Sequence, residues 1–311
     1  TGAALLLATE AAHGGPVAVH GAPTSVAALL ARVRSAAMAG APETGPATVA
    51  EPLARRPMPA RLLAGAAEGL AFLGEALFAL FGLPARRRMI RLGDLARFTD
   101  QAGVQGLPLA LLLGGLLGLI LAFQSAIPMR RFGADIFVAD LVSIALLREL
   151  GPLVAAVILA GRTGSAEAAE IGTMKVNEEL DALATMGLDP MTLLVLPRIA
   201  AAMIAMPVLV LALDLAGLAG MTVVMAAFGF PPALVLARVV AAVRPGDLLG
   251  GVFHGICFGA LVAAIGCRAG LATGVGPRAV GLAATRAVVG GIVGTIVLDG
   301  LFAVFNYRLG L

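Results

Sequence analysis

Residues able to do chemistry are sparse in this 311-residue chain, and many of them crowd into one window. The stretch "AGRTGSAEAAEIGTMKVNEELDALATMGLDP", positions 160–190, holds Arg162, Glu167, Glu170, Lys175, Glu178, Glu179, Asp181 and Asp189, and Lys175 is the sole lysine. Leu, Val, Ala and Gly dominate the chain on both sides. The spacing predicts a short helix over Thr173–Gly187, capped by Thr173 and stopped by Gly187 and Asp189-Pro190. Val176, Leu180, Leu183 and Gly187 then share one face, while Lys175, Glu178, Glu179 and Ala182 point elsewhere. An apolar seam beside an acidic face suits docking into a partner's groove. The alternative is an ordinary solvated helix between two apolar spans.

A second set of polar groups lies inside apolar sequence: the adjacent Arg148 and Glu149, then Asp214, His254 and Asp299. An ionisable side chain in hydrocarbon costs on the order of 2.5–3.5 kcal/mol on insertion scales. Such groups would serve a proton relay, but their scatter along the sequence favours structural pairs between helices or the lining of a watered cavity. Arg162 with Glu167 or Glu170 is expected to hold the charged window at the end of its span.

Several chemistries are disfavoured. There is no G-x-x-x-x-G-K-[ST] stretch, and Lys175 follows "GTM", so this chain is not expected to bind ATP through a P-loop. No H-E-x-x-H occurs, and the histidines are dispersed. Cys257 and Cys267 lie in one apolar segment without metal-ligand spacing and read as small packing residues. No metal, cofactor or catalytic residue is expected on this chain. The net charge of +3 would suit nucleic acid, but the basic residues are almost all Arg flanking apolar runs, so no nucleic-acid partner is expected.

The elements that must position these groups follow from composition. The chain is 59% hydrophobic and 13% charged, with a mean hydropathy of +0.98. That places it among integral membrane proteins. Residues 1–38 read as a partial α/β segment, with two helices around the short strand "PVAVHG". Residues 39–59, rich in Pro, Gly, Thr and Ala, read as a linker. Within 60–84, Arg61, Glu68 and Glu75 recur on one face opposite Leu63, Leu70, Leu73 and Leu77. Basic residues flank both ends, which favours a helix lying in the interface over one that crosses. An Arg-rich elbow completes 60–97. Five spans follow in 98–311, at about 104–127, 138–161, 192–228, 247–267 and 282–306, each supplying the roughly 20 apolar residues a crossing needs. Arginine bias places the N-terminus and the charged window in the cytoplasm and the C-terminus outside. Gly251, Gly255 and Gly259, and the pairs Gly114/Gly118 and Gly290/Gly294, carry the spacing of close helix packing, more often within a chain than between chains. Pro152, Pro197 and Pro207 are expected to kink their helices.

The window and its flanks also resemble a known family. "RELGP" at Arg148–Pro152, "AGRTG" at Ala160–Gly164, "EIGTM" at Glu170–Met174, "ELDAL" at Glu179–Leu183 and "MGLDP" at Met186–Pro190 resemble, in order, the signature of MlaE-type ABC transporter permeases. The resemblance extends over residues 60–311. It departs at His254, where a Lys is frequent, at Arg268-Ala269, and at Ala284. It implies an all-α polytopic permease of the bacterial inner membrane that pairs with a second copy of itself. It also implies a cytoplasmic ABC ATPase carrying ATP and Mg, a periplasmic MCE-domain protein, and phospholipid as cargo. The charged window would be the coupling helix, with Lys175, Val176, Glu178, Glu179, Leu180, Asp181, Leu183 and Met186 docking the ATPase. A lipid cavity between protomers would be lined by Leu116, Leu119 and Phe123 of the first span and Phe302, Phe305 and Tyr307 of the fifth. Residues 1–38 resemble the second half of a STAS domain. The competing expectations are a proton-coupled secondary transporter using Asp214, His254 and Asp299, and a membrane scaffold whose STAS-like part recruits a soluble partner.

Overall fold

The computed structural model describes the backbone of residues 92–309, together with the helical positions Gly69, 71–76 and Phe78. The expected STAS-like segment, the linker and most of the 60–97 region lie outside the described residues. At the described positions near 75, Ala76 is buried, and Phe72 and Leu73 pack beside it on the core of the spans. Glu75 is exposed; the other residues of the expected polar face, Arg61 and Glu68, lie outside the described residues.

Apolar runs become helices because a chain in hydrocarbon must satisfy every backbone N–H and C=O internally. The described residues contain no strand. α1 (Leu92–Ala102) leads through a tight turn at Val104–Gly106 into α2 (Leu107–Arg130). The second span runs through α3 (Phe137–Ala145), α4 (Gly151–Leu159) and α5 (Ser165–Val176). Wide π turns at Leu146–Leu150 and Ala160–Gly164 join these three. The short α6 (Glu179–Thr185) follows, and a third wide turn, Met191–Val195, opens α7 (Leu196–Ala227). α8 (Pro232–Ala242), α9 (Pro245–Leu271) and α10 (Pro277–Leu309) complete the chain.

Two of the wide turns sit just upstream of Pro152 and Pro197. Proline lacks an N–H and crowds the carbonyl four residues back, and a widened turn relieves both problems. Pro207, by contrast, lies inside the continuous α7. At Ala160–Gly164 no proline is involved; there Ser165 Oγ donates to the Gly161 carbonyl at 2.7 Å and the Arg162 carbonyl at 2.9 Å.

Among the described residues, five helical stretches are long and apolar enough to cross a membrane: Gly93–Arg130, Phe137–Val176, Met191–Ala227, Pro245–Leu271 and Pro277–Asn306. The second contains 40 residues. At 1.5 Å per residue it is roughly 60 Å long, about twice the hydrocarbon thickness. It is therefore longer than a single crossing needs. The sequence places its end near residue 161, but the helix continues to Val176.

α7 is the central helix. α2, α9 and α1 pack along it, while α9 also carries α10 and α5. The helices approach closely where glycines meet backbone. A Cβ on Gly114 would meet the Leu213 carbonyl, and one on Gly118 the Gly217 carbonyl. Gly251 faces the Leu147 carbonyl, Gly255 faces Val210, and Gly259 faces Met206. Gly290 and Gly294 face Ile265 of α9. The glycine spacing thus serves packing within the chain, where close contact replaces the missing hydrophobic drive. Leu112, Leu116 and Ile120 of α2, and Val293, Ile296 and Val304 of α10, remain exposed on the outer faces. At the far end, Arg238 of α8 binds Asp140 of α3 through two hydrogen bonds and lies 4.9 Å over the Phe137 ring.

Candidate functional site: the charged excursion and its base

Between α5 and α7 the chain leaves the helical stack and returns. α5 closes with the Asn177 N–H donating to the Thr173 carbonyl at 3.0 Å. Glu178 then adopts the left-handed conformation at φ 62°, the sole non-glycine among the described residues to do so, and α6 starts beside it. At the other end Gly187, at φ 75°, donates to the Ala184 carbonyl and ends the helix. The single helix expected over 173–187 is therefore two helices with a joint. Thr173 is not its cap; it lies within α5, where its hydroxyl donates to the Ala169 carbonyl at 2.8 Å. α6 has no side-chain cap; the carboxylate of Asp189 instead holds the start of the turn that opens α7. It accepts from the Met191 N–H at 3.1 Å, the Thr192 N–H at 3.2 Å and the Thr192 hydroxyl at 2.6 Å.

The expected apolar seam faces inward. Leu180 is buried in the main core and Leu183 is half-buried against it, so these two residues seat α6 on the chain's own body. Val176 is also half-buried. Glu178, Glu179, Asp181 and Met186 face outward, along with Leu188. Lys175 Nζ donates to the Leu271 carbonyl at the end of α9, tying the last turn of α5 to a second span.

The charge network at the base differs from the expected one. Arg162 does not pair with Glu167 or Glu170; it donates to the Gln101 carbonyl at 3.1 Å and to Gln105 Oε1 at 2.8 Å, holding the α1–α2 junction. Glu170 instead meets Arg198 Nη2 at 3.0 Å and Arg97 Nη2 at 3.7 Å. Arg198, absent from the sequence-based candidates, is almost fully buried, donates to the Leu194 carbonyl at 2.9 Å, and lies 4.6 Å over the Phe98 ring. The one signal for it is a solitary Arg early in an otherwise apolar run. Glu167 is buried one turn before Glu170.

The intramembrane polar residues are less scattered than their sequence positions suggest. Arg148, Arg244, Asp247, His254 and Asn306 line a cavity of about 250 Å³. Arg148 Nη1 lies 3.9 Å from Asp247 Oδ1. His254 stacks on Phe302 with ring centroids 4.3 Å apart and planes 8° from parallel. Glu149 is within electrostatic reach of both His254 and Asp299. Four of the five expected groups thus converge where α9 begins and α10 ends. Asp214 stands apart, buried in α7 with its carboxylate packed against Gly151.

The expected lipid-facing residues do not meet within one chain. Leu116 and Phe123 are exposed on α2, where Leu119 is half-buried against the second core. Phe302 packs on His254, and Phe305 is exposed on α10; the Tyr307 side chain lies outside the described residues. α2 packs chiefly on α7 and α3, whereas α10 packs on α9 and α5. A cavity that uses both sets requires a second copy.

The chain is similar in sequence to known proteins. The family model described as Permease MlaE matches residues 95–305, which span α1 to α10. A probable ABC transporter permease protein of Rickettsia conorii is 38% identical over 217 residues, covering 68% of this chain and 84% of the relative. The chloroplastic protein trigalactosyldiacylglycerol 1 of Arabidopsis thaliana is 31% identical over 210 residues, 67% of this chain and 60% of the relative. The intermembrane phospholipid transport system permease protein MlaE of Haemophilus influenzae is 42% identical over 139 residues, 44% of this chain and 53% of the relative. The matched region takes in the charged excursion and all but the outermost residues of the five apolar spans, and the chain belongs to the MlaE permease family.

Proposed function

We propose that this chain is the permease subunit of an ABC transporter that moves phospholipid between the inner and outer membranes. A cytoplasmic ATPase partner, carrying ATP and Mg, docks on the α6 excursion. The observation that carries this is α6 itself: a short helix set off by two left-handed joints, seated by Leu180 and Leu183, and presenting an acidic outer face with Met186 and Leu188. The family's relatives are ABC transporter permeases by name, and one is named for intermembrane phospholipid transport. Two copies of the chain in the inner membrane, with a periplasmic MCE-domain protein above them, bring α2 and α10 to a shared cavity. Its apolar walls suit acyl tails. Arg148, Arg244, His254 and Asn306 supply the cationic and hydrogen-bonding groups a phosphate head group would take.

The test is affinity purification of the full chain from its native membrane, with co-purifying chains and lipids identified by mass spectrometry. A nucleotide-binding chain and phospholipid are expected with the wild type. Glu179→Lys combined with Asp181→Lys should release the nucleotide-binding chain, because both side chains are exposed and a reversed charge there disturbs docking without disturbing the core. Leu180→Arg is uninformative, since it would place a charge in the core. Purification without any nucleotide-binding chain, and transport that follows a proton gradient in the absence of ATP, would sink the proposal in favour of the proton-coupled alternative.

A further inference from the structure

Two segments carry the α6 excursion: α5 enters it, and the turn through 187–195 leaves it for α7. Each joint is a conformational break, at Glu178 on one side and Gly187 on the other. A load applied to α6 therefore reaches the spans faithfully only if side chains tie the two segments together at their base.

One side chain does this. Arg198, in the first turn of α7, is 2% exposed. Its Nη2 meets Glu170 Oε2 on α5 at 3.0 Å, and its Nη1 donates to the Leu194 carbonyl in the outgoing turn at 2.9 Å. Its guanidinium lies 4.6 Å over Phe98 of α1. Arg97 reaches Glu170 from α1 as well, at 3.7 Å. Incoming helix, outgoing turn and α1 are all touched by a single planar cation. These groups border a groove of about 620 Å³ whose lining includes Gly187, Leu188 and Asp189 at the end of the excursion. A buried cation is costly unless it is paired; both terminal nitrogens of Arg198 are engaged, while its Nε has no hydrogen-bond partner, and a lysine cannot reproduce a fork that pairs and stacks at once.

We propose that Arg198 is a positioning residue that makes α5, the 187–195 turn and α1 move as one body, so that displacement of α6 by its partner is delivered to the membrane-spanning helices. This rests on the reading of α6 as the ATPase-docking element. Arg198 makes no contact with cargo or nucleotide in this role; it acts through Glu170, Leu194 and Phe98.

The experiment uses the full transporter, purified with its ATPase and reconstituted in phosphatidylethanolamine–phosphatidylglycerol vesicles carrying a fluorescent phosphatidylethanolamine. Three quantities are read: ATPase bound per permease, ATP hydrolysed, and lipid moved per ATP. Arg198→Lys should keep the ATPase at the wild-type ratio while lipid moved per ATP falls by roughly two- to thirtyfold, the range expected of residues along a coupling network. Phe98→Leu and Glu170→Gln should lower the same ratio. Glu170→Gln added to Arg198→Lys should cost little more than Arg198→Lys alone, because both remove one clamp. If Arg198→Lys does not accumulate, the two variants at these partly exposed positions decide the matter. An unchanged lipid-per-ATP ratio in the variants overturns the proposal, and so does loss of the ATPase from Arg198→Lys, which would make Arg198 a docking residue. A wild-type complex lacking any ATPase defeats the docking reading itself and this inference with it.

Discussion

Glu178 holds a backbone conformation that L-residues enter at a cost of roughly 1–2 kcal/mol, and it does so where the direction of α6 is set. Its side chain is exposed, so packing does not dictate the residue type. The consequence is measurable by thermal unfolding in detergent. Glu178→Val, a β-branched residue at φ 62°, should destabilise the excursion beyond the cost glutamate already bears, by on the order of 1 kcal/mol. Glu178→Gly should be neutral or slightly stabilising, since the relief of strain opposes the extra entropy of the unfolded chain. If valine is tolerated as well as glycine, the left-handed joint is not a constraint on this segment. Lys175 has a quieter role beside it. Its bond to the Leu271 carbonyl gives the sole lysine a specific partner, so the residue fixes α5 to α9 instead of contributing only diffuse charge.

At the level of elements, the α2–α7 contact is made by glycines at different distances from backbone, which allows a matched comparison. A Cβ on Gly118 would collide with the Gly217 carbonyl, and neither helix can yield without losing its own hydrogen bonds. A Cβ on Gly115 would meet nothing nearer than the Ala216 carbonyl, at 3.8 Å. Gly118→Ala should therefore cost about 1–3 kcal/mol, as overpacking does, while Gly115→Ala should be nearly silent. Thermal stability of the two purified variants checks this, and equal losses would disprove the contact. The five crossing elements were legible in the sequence because a bilayer demands long apolar runs, and such runs need no tertiary information to be seen. The continuation of the second span through α5 was not legible, because charged residues at 167–175 lower the hydropathy without breaking the helix. Arg198 was hidden for a different reason: its meaning depends on Glu170 and Phe98, which only packing brings to it. The inward turn of Leu180 was invisible too, since an apolar seam looks the same whether it seats a helix on its own body or on a partner.

For the whole molecule, five crossings decide which loops share a side of the membrane, and the arginines bear on which side that is. With five spans, α1, the α6 excursion and the turn between α9 and α10 lie at one face; the α2–α3 turn and α8 lie at the other. The first face gathers Arg97, Arg162, Lys175, Arg268, Arg278 and Arg286 among the described residues. The second carries Arg130, Arg131, Arg238, Arg244 and Arg308, of which Arg130 and Arg238 are engaged with Asp135 and Asp140. Lys and Arg in short loops set orientation, and acidic residues contribute little to it. We propose from this bias that α6 lies in the cytoplasm, where an ATPase would be. Single-cysteine labelling tests this in a Cys257→Ala, Cys267→Ala background, with a membrane-impermeant maleimide applied to intact spheroplasts. Phe132→Cys, at a fully solvent-facing position in the α2–α3 turn, should label from outside. Thr185→Cys, exposed at the end of α6, should label only after the membrane is opened. The reverse pattern would invert the protein and remove α6 from the reach of any cytoplasmic engine. Labelling of both positions from outside would contradict an odd number of crossings between α2 and α6.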